Sequence, residues 1–220
     1  MKYSVVMPFL VKNKEHAEVY NQTIKSILEN SHDFEFIGID DGSSYQVNMI
    51  DFKKIIVHPK NLGIAPSWND GIRVARGKYI AIINDDIVVQ EGYLDAMAKC
   101  FEEHADCGVS APSVEHLPDL SSGIHEKKTW FPGSCFMISQ GIKSIVGEFD
   151  EQFVPFNCED IDYWERIYQN GFKMYRNFDS FVRHKEGDVL HTLDYKKVDS
   201  ENVKKLLAKW GYDPRPKFYE

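Results

Sequence analysis

Lys78-Tyr79-Ile80-Ala81-Ile82-Ile83-Asn84-Asp85-Asp86 is the stretch that decides the fold. Tyr79 to Ile83 reads as a buried strand, and it runs straight into a polar elbow that ends in two adjacent carboxylates. Such a pair repels itself unless a cation, typically divalent, sits between it and a ligand. Asp-Asp is also a common turn dipeptide, so the pair needs company to carry meaning. It has company. Asp40-Asp41-Gly42-Ser43 closes the strand Phe34 to Ile39 in the same way, and Glu159-Asp160-Ile161-Asp162 opens a helix.

Working outward, strands and helices alternate. Tyr3 to Met7 is a short β-rich run stopped by Pro8. From about Lys14 to Glu29, Val19, Thr23, Ile24, Ile27 and Leu28 recur at helical spacing. Ile55 to Val57 reads as a third strand. Ala65 to Arg76 reads as a helix stopped by Gly77, and another helix lies around Gly92 to Phe101. This order predicts an α/β fold: a doubly wound, mostly parallel sheet with ligands at the carboxyl ends of its strands. Pro8, Asp40-Asp41, Asn61 and Asp85-Asp86 all fall at such ends.

The second half is less regular. Leu117 to Lys128 reads as a polar, mobile loop, Trp130 to Ile138 as a strand and Gly141 to Val146 as a short helix. Glu159 to Gln169 is helical, Phe172 to Tyr175 and Ser180 to His184 are strands, and Asn202 to Trp210 is a final amphipathic helix. No repeat or linker divides the chain. The expectation is one domain over residues 1–220, with 1–110 binding a nucleotide and 111–220 an acceptor.

Composition narrows the function classes. A net charge of −8 argues against a nucleic-acid surface, whose footprint is basic. No apolar run approaches the ~20 residues needed to cross a bilayer, and the N-terminus lacks a signal core. Cys100, Cys107, Cys135 and Cys158 form no Cys-x-x-Cys pair and suit reduced thiols. The expected compartment is the cytoplasm.

Taken in order, several short pieces resemble the inverting family-two glycosyltransferases with the GT-A fold, including rhamnosyltransferase-like members. These are Ser4-Val5-Val6-Met7-Pro8, Ile39-Asp40-Asp41-Gly42-Ser43, Asn61-Leu62-Gly63, Asn69-Asp70-Gly71-Ile72 and Ala75-Arg76-Gly77-Lys78-Tyr79. Asn84-Asp85-Asp86, Gly133-Ser134-Cys135-Phe136, Val146-Gly147-Glu148-Phe149-Asp150-Glu151 and Glu159-Asp160-Ile161-Asp162 follow. Each piece is weak alone, and their collinearity from Tyr3 to about His184 carries the resemblance.

The resemblance implies hexosyl or pentosyl transfer from a nucleotide-diphosphate sugar of UDP or dTDP type to an acceptor hydroxyl, with Mn2+ or Mg2+ as cofactor. It implies that Asp41 accepts N3–H of the base, and that Pro8, Phe9, Asn61 and Asp85 line the donor site. Asp86 takes the metal, with His184 completing its shell in some members. Asp160 is the implied general base, with Glu159 beside it. Inversion needs a carboxylate within reach of the acceptor hydroxyl, opposite the leaving group. Acidic residues are also favoured in any first helical turn, and a lone His beside Lys185 is often just solvated. Trp130-Phe131-Pro132-Gly133 resembles an acceptor-side wall. The loop Phe9 to Lys14 is longer than the family's usual segment.

Three other readings remain open. A nucleotidyltransferase making nucleotide sugars would carry an N-terminal Gly-rich phosphate loop, and Met7-Pro8-Phe9-Leu10 has no glycine. A non-catalytic nucleotide-sugar-binding module could keep the fold and lose the chemistry. Glycosylation of a modified nucleic-acid base is disfavoured by the acidic charge.

Overall fold

A computed structural model describes residues 1–114, 122–127, 131, 133–185 and 195–216. Its first half is a parallel sheet. β1 (Tyr3–Phe9), β2 (Phe34–Asp40), β3 (Lys54–Val57) and β4 (Tyr79–Ile83) lie in the order β3-β2-β1-β4. β1 and β4 are buried along their whole length because helices cover both faces of the sheet. Alternate residues serve opposite faces. Val6, Ile37, Ile39, Ile80 and Ile82 pack with Trp68 and Ile72 of α2 (Ile64–Val74). Val5, Met7, Phe36, Ala81 and Ile83 meet Tyr20, Ile24 and Ile27 of α1 (Lys14–Asn30) and Met97 of α3 (Tyr93–Glu103). Each such aliphatic side chain contributes about 1.5–3 kcal/mol on burial, and a one-residue slip would turn every one to the wrong face.

Beyond β4 the sheet becomes mixed. β8 (Cys135–Ser139) runs antiparallel to β4 and to β6 (Cys107–Val114), and β6 runs parallel to β9 (Lys173–His184). β5 (Ile87–Val89) and β7 (Ile124–Glu126) each pair antiparallel with β9. The helices of this half are α4 (Gln140–Val146), α5 (Glu159–Gln169) and α6 (Tyr195–Trp210). Among the described residues no helix is long and apolar enough to cross a membrane.

Several expectations are corrected. Pro8 does not stop β1, which continues to Phe9. β4 pairs with β1 only from Tyr3 to Val6, so the missing N–H of Pro8 lies beyond that ladder. α2 ends at Val74, before Gly77. β5, β6 and β7 were not expected. β7 lies in the segment read as a mobile loop, whose residues 117–121 and 128 are outside the described residues, as are Trp130 and Pro132. The strand expected from Trp130 begins at Cys135. The two strands expected over 172–184 are one, β9, whose register against β6 shifts between Pro112 and Ser113. α6 begins at Tyr195, ahead of the expected Asn202.

Candidate active site

The carboxyl ends of β1, β2 and β4 lie side by side, and hydrogen bonds from their polar residues knit the connecting loops together. Asp40 Oδ1 accepts from Ser43 N at 2.8 Å, and Ser43 Oγ accepts from Val11 N at 2.8 Å. Leu10 N donates to Asp85 Oδ2 at 3.1 Å. The loop after β1 is thus held from both neighbouring strands. Gly42 closes the turn with φ +82, and a Cβ there would stand 2.5 Å from the Lys60 carbonyl carbon. Only glycine accepts that conformation and that approach, so the turn lies directly on Lys60 and Asn61.

Asp41 is 6% exposed. Its Oδ1 accepts from Leu62 N at 2.8 Å and its Oδ2 from Gly63 N at 3.0 Å. A third partner, His58 Nδ1, stands 2.8 Å from Oδ1. A carboxylate offers about four lone-pair positions, so one on Oδ2 remains. Phe9 is buried, with its ring stacked on Phe52 at 5.8 Å. Asn61 is exposed at the rim. Pro8 lies inside β1, opposite Ile39.

At the end of β4, burial first and the neighbouring Asp86 charge second push the Asp85 carboxyl up to about 7. The antiparallel pairing of β5 with β9 sets Ile87 opposite His184. That register brings His184 Nε2 to 3.2 Å from Asp86 Oδ2, and Lys185 N donates to Asp86 O at 2.8 Å. A carboxylate oxygen and an imidazole nitrogen are donors that fit Mn2+ or Mg2+. Among the described residues no group of three or more His, Cys, Asp or Glu side chains is arranged to hold a metal ion by itself. Such an ion would therefore take further oxygens from water or a diphosphate, as Mg2+ habitually does.

Asp160 reaches this end of the sheet through β8. Ile83 pairs with Cys135, Asn84 N donates to Ser134 O at 2.9 Å, and the next residue, Gly133, lies against Asp160. A Cβ on Gly133 would stand 2.4 Å from Asp160 Oδ2. Asp160 Oδ1 accepts from Ile161 N at 2.8 Å at the start of α5. Burial pushes the Asp160 carboxyl up to about 6. Glu159 is more deeply buried, and burial followed by the Asp160 charge raises its carboxyl well above the usual range. Its Oε2 has no hydrogen-bond partner among the described residues. Two carboxyls that are costly to ionise therefore stand side by side, a common property of acid–base sites.

Sequence reading missed the charged chain behind Asp41. His58 Nε2 contacts Asp70 Oδ2 at 2.9 Å, Asp70 Oδ1 accepts from Arg73 Nη1 at 2.8 Å, and Arg73 Nε donates to Glu148 at 2.7 Å. Asn69, fully buried, accepts from Phe149 N at 2.8 Å and donates to Phe149 O at 2.9 Å. The sequence pieces around Asn69 and Glu148 are thus partners in space. Ile64 N also donates to Pro155 O at 2.8 Å, joining the loop after Gly63 to the segment that leads into α5.

Comparison with known proteins agrees with this architecture. A solved structure of GalNAc-T7 with UDP, GalNAc and Mn2+ superposes with a TM-score of 0.68 at 15% identity, covering 83% of this chain and 43% of that one. TarS 1–349 of S. aureus in complex with UDP-GlcNAc gives 0.68 at 16% identity, over 94% of this chain and 67% of that one. Both have the GT-A fold. An uncharacterized glycosyltransferase of Rickettsia bellii is 36% identical over 185 residues, 76% of this chain and 26% of that protein. Glucosyl-dolichyl phosphate glucuronosyltransferase of Haloferax volcanii is 24% identical over 146 residues, 63% of this chain and 44% of that protein. The chain thus spans between about a quarter and under half the length of these two relatives. The profile of the family described as Glycosyl transferase family 2 matches residues 4–162, most of the described chain, and the protein belongs to that family.

Proposed function

We propose that this chain is a metal-dependent, inverting glycosyltransferase moving a sugar from a UDP- or dTDP-type donor to an acceptor hydroxyl in glycan or glycoconjugate synthesis. The observation that carries this reading is the continuity from the Asp85-Asp86 elbow through Asn84 and Ser134 to Gly133 and Asp160. It links the elbow that carries Asp86 to the segment lying against the raised-pKa Asp160 carboxyl. The UDP-containing structures of GalNAc-T7 and TarS support the choice of donor class.

Residues 1–110 supply the nucleotide half and 111–220 the acceptor half. Asp41 offers its remaining lone pair to N3–H of the base, with Pro8, Phe9 and Asn61 forming the surrounding wall. Asp86 and His184 would hold Mn2+ or Mg2+, which when bound supplies positive charge against the diphosphate as it departs. Asp85, hydrogen-bonded to Leu10 N, fixes the loop that borders the donor. Asp160 takes the proton from the acceptor hydroxyl as that oxygen attacks the anomeric carbon from the face opposite the diphosphate. Its raised pKa keeps it a stronger base than an ordinary carboxylate while leaving it mostly ionised at neutral pH. Glu159, whose carboxyl burial raises well above the usual range, orients the start of α5 and the acceptor.

The test is a thermal-shift panel of UDP, dTDP and GDP with Mn2+ or with EDTA, since a ligand that binds only the native state raises Tm. UDP or dTDP should stabilise the protein far more with Mn2+, and Asp86→Ala should abolish the metal-dependent part. Equal shifts in Mn2+ and EDTA would remove Asp86 and His184 from a metal role.

A further inference from the structure

His58 is 6% exposed, yet both of its ring nitrogens face carboxylate oxygens, Nδ1 at 2.8 Å from Asp41 and Nε2 at 2.9 Å from Asp70. An ionised carboxylate can only accept hydrogen bonds, and a neutral imidazole has one N–H. Two contacts of this length therefore call for an imidazolium that donates from both nitrogens. The backbone reinforces the placement, because His58 N donates to Asp40 O at 2.8 Å. One side chain from the end of β3 thus joins the end of β2 to α2.

We propose that His58 is a positioning residue for the donor nucleotide, a buried cation that clamps Asp41 to Asp70 and so fixes the carboxylate meant to read the base. The inference rests on the base-reading role given to Asp41 above. Asp41 also holds Leu62 N and Gly63 N, so any rotation of its carboxylate would release the loop that carries Asn61. Asp70 is held in turn by Arg73, which is anchored on Glu148. Clamp and counter-anchor run from the nucleotide half into the acceptor half.

The clamp carries a pH dependence of defined sign. Burial works against the charged ring, but hydrogen bonds and attraction from Asp41 and Asp70 outweigh it, and the His58 pKa is raised. Behind Asp70 stands Arg73, and Asp40, whose carbonyl accepts from His58 N, has its Oδ1 taken by Ser43 N. When His58 loses its proton, one ring nitrogen presents a lone pair to a carboxylate and that side of the clamp opens. Base affinity is therefore full at low pH and falls as pH rises through the His58 titration.

The test is calorimetric binding of UMP in EDTA, which leaves the metal residues out, from about pH 6 upward until the His58 ring has lost its proton, a titration that lies above the ordinary histidine value because its pKa is raised. Nitrogen-15 NMR of the ring reads its protonation directly. Affinity of the parent should fall about tenfold across this range, the usual effect of losing a charged hydrogen bond. His58→Gln, which donates to only one carboxylate, should be about tenfold weaker at low pH. Asp70→Asn keeps an acceptor oxygen but removes its charge, so it should move the midpoint to lower pH, a change that a merely packed histidine would not produce. A singly protonated ring at about pH 6, a flat profile, or an unmoved midpoint in Asp70→Asn would overturn the proposal. If Asp41→Ala binds UMP as tightly as the parent, the base-reading role fails and the clamp fails with it. If Asp41→Ala is weak while His58→Gln and the pH profile are unaffected, only the His58 inference fails.

Discussion

Asp160→Asn should leave the protein more stable and almost inactive. The Asp160 carboxyl titrates near 3.8 when exposed and is pushed up to about 6 by burial. Each unit corresponds to about 1.4 kcal/mol, so ionising this group in the folded protein costs up to about 3 kcal/mol. Between those two pH values the native state binds more protons than the unfolded chain, and stability falls as pH rises through the interval. Above about 6 the full cost is present. Asparagine has no charge to desolvate, and its Oδ1 can still accept from Ile161 N as the carboxylate does at 2.8 Å. Removing the charge also relieves Glu159, which lies under its influence. The variant should therefore gain roughly 1–3 kcal/mol at pH 7 and little near pH 4, read by urea denaturation at both pH values. Donor hydrolysis, with water as a poor acceptor, should drop ~10²–10⁴-fold while UDP affinity is unchanged. Parent activity should climb as pH rises through about 6, when the base becomes ionised. A variant that loses stability equally at both pH values, or turns over like the parent, would refute the reasoning.

Gly133→Ala should impair turnover without weakening UDP binding, because the new Cβ would press on Asp160 Oδ2 from 2.4 Å; a kcat equal to the parent's would show that Asp160 has room to spare. Glu35, 4% exposed, is held by Lys54 Nζ at 2.9 Å, Ser4 Oγ at 2.7 Å and Arg76 N at 2.6 Å. Burial raises its carboxyl, but these bonds outweigh it and the net shift is downward. Its stabilisation is therefore present above the usual glutamate pKa and lost as pH falls through the depressed native value. Glu35→Gln should cost about 1–3 kcal/mol in urea unfolding at pH 7 and progressively less toward acid; a cost independent of pH would contradict the assignment.

The first half of the fold was legible because Tyr79 to Ile83 is a continuous apolar run, and Phe34 to Ile39 a run broken only by Glu35 and Gly38, each ending in an acidic elbow, as buried parallel strands do. The positions of Asp41, Asp85 and Asp86 at strand ends followed from it. The second half was less so. Cys107-Gly108-Val109-Ser110-Ala111-Pro112-Ser113-Val114 carries Gly, Pro and Ser and has no clean period, yet pairing with β8 on one side and β9 on the other makes it a strand. Asn177 to Asp179 looks like a turn and instead lies within β9 where the register shifts. In both cases tertiary pairing overrides local propensity. His184 could be marked from the resemblance, but its approach to Asp86 depends on β5, which sequence reading did not find. His58 was passed over because a single histidine after a short strand has no local signature. Its meaning appears only when Asp41 and Asp70, 17 and 12 residues away, close on the same ring.

The central claim is inverting transfer with Asp160 as the base, and the anomeric configuration of the released sugar tests it most directly. The protein is mixed with the UDP- or dTDP-sugar that gives the largest Mn2+-dependent thermal shift, and the free sugar is followed by rapid NMR before mutarotation equalises its anomers. The account predicts that the first sugar to appear has the configuration opposite to the donor's, and that Asp160→Asn releases it ~10²–10⁴-fold more slowly. A sugar released with the donor's own configuration would contradict it.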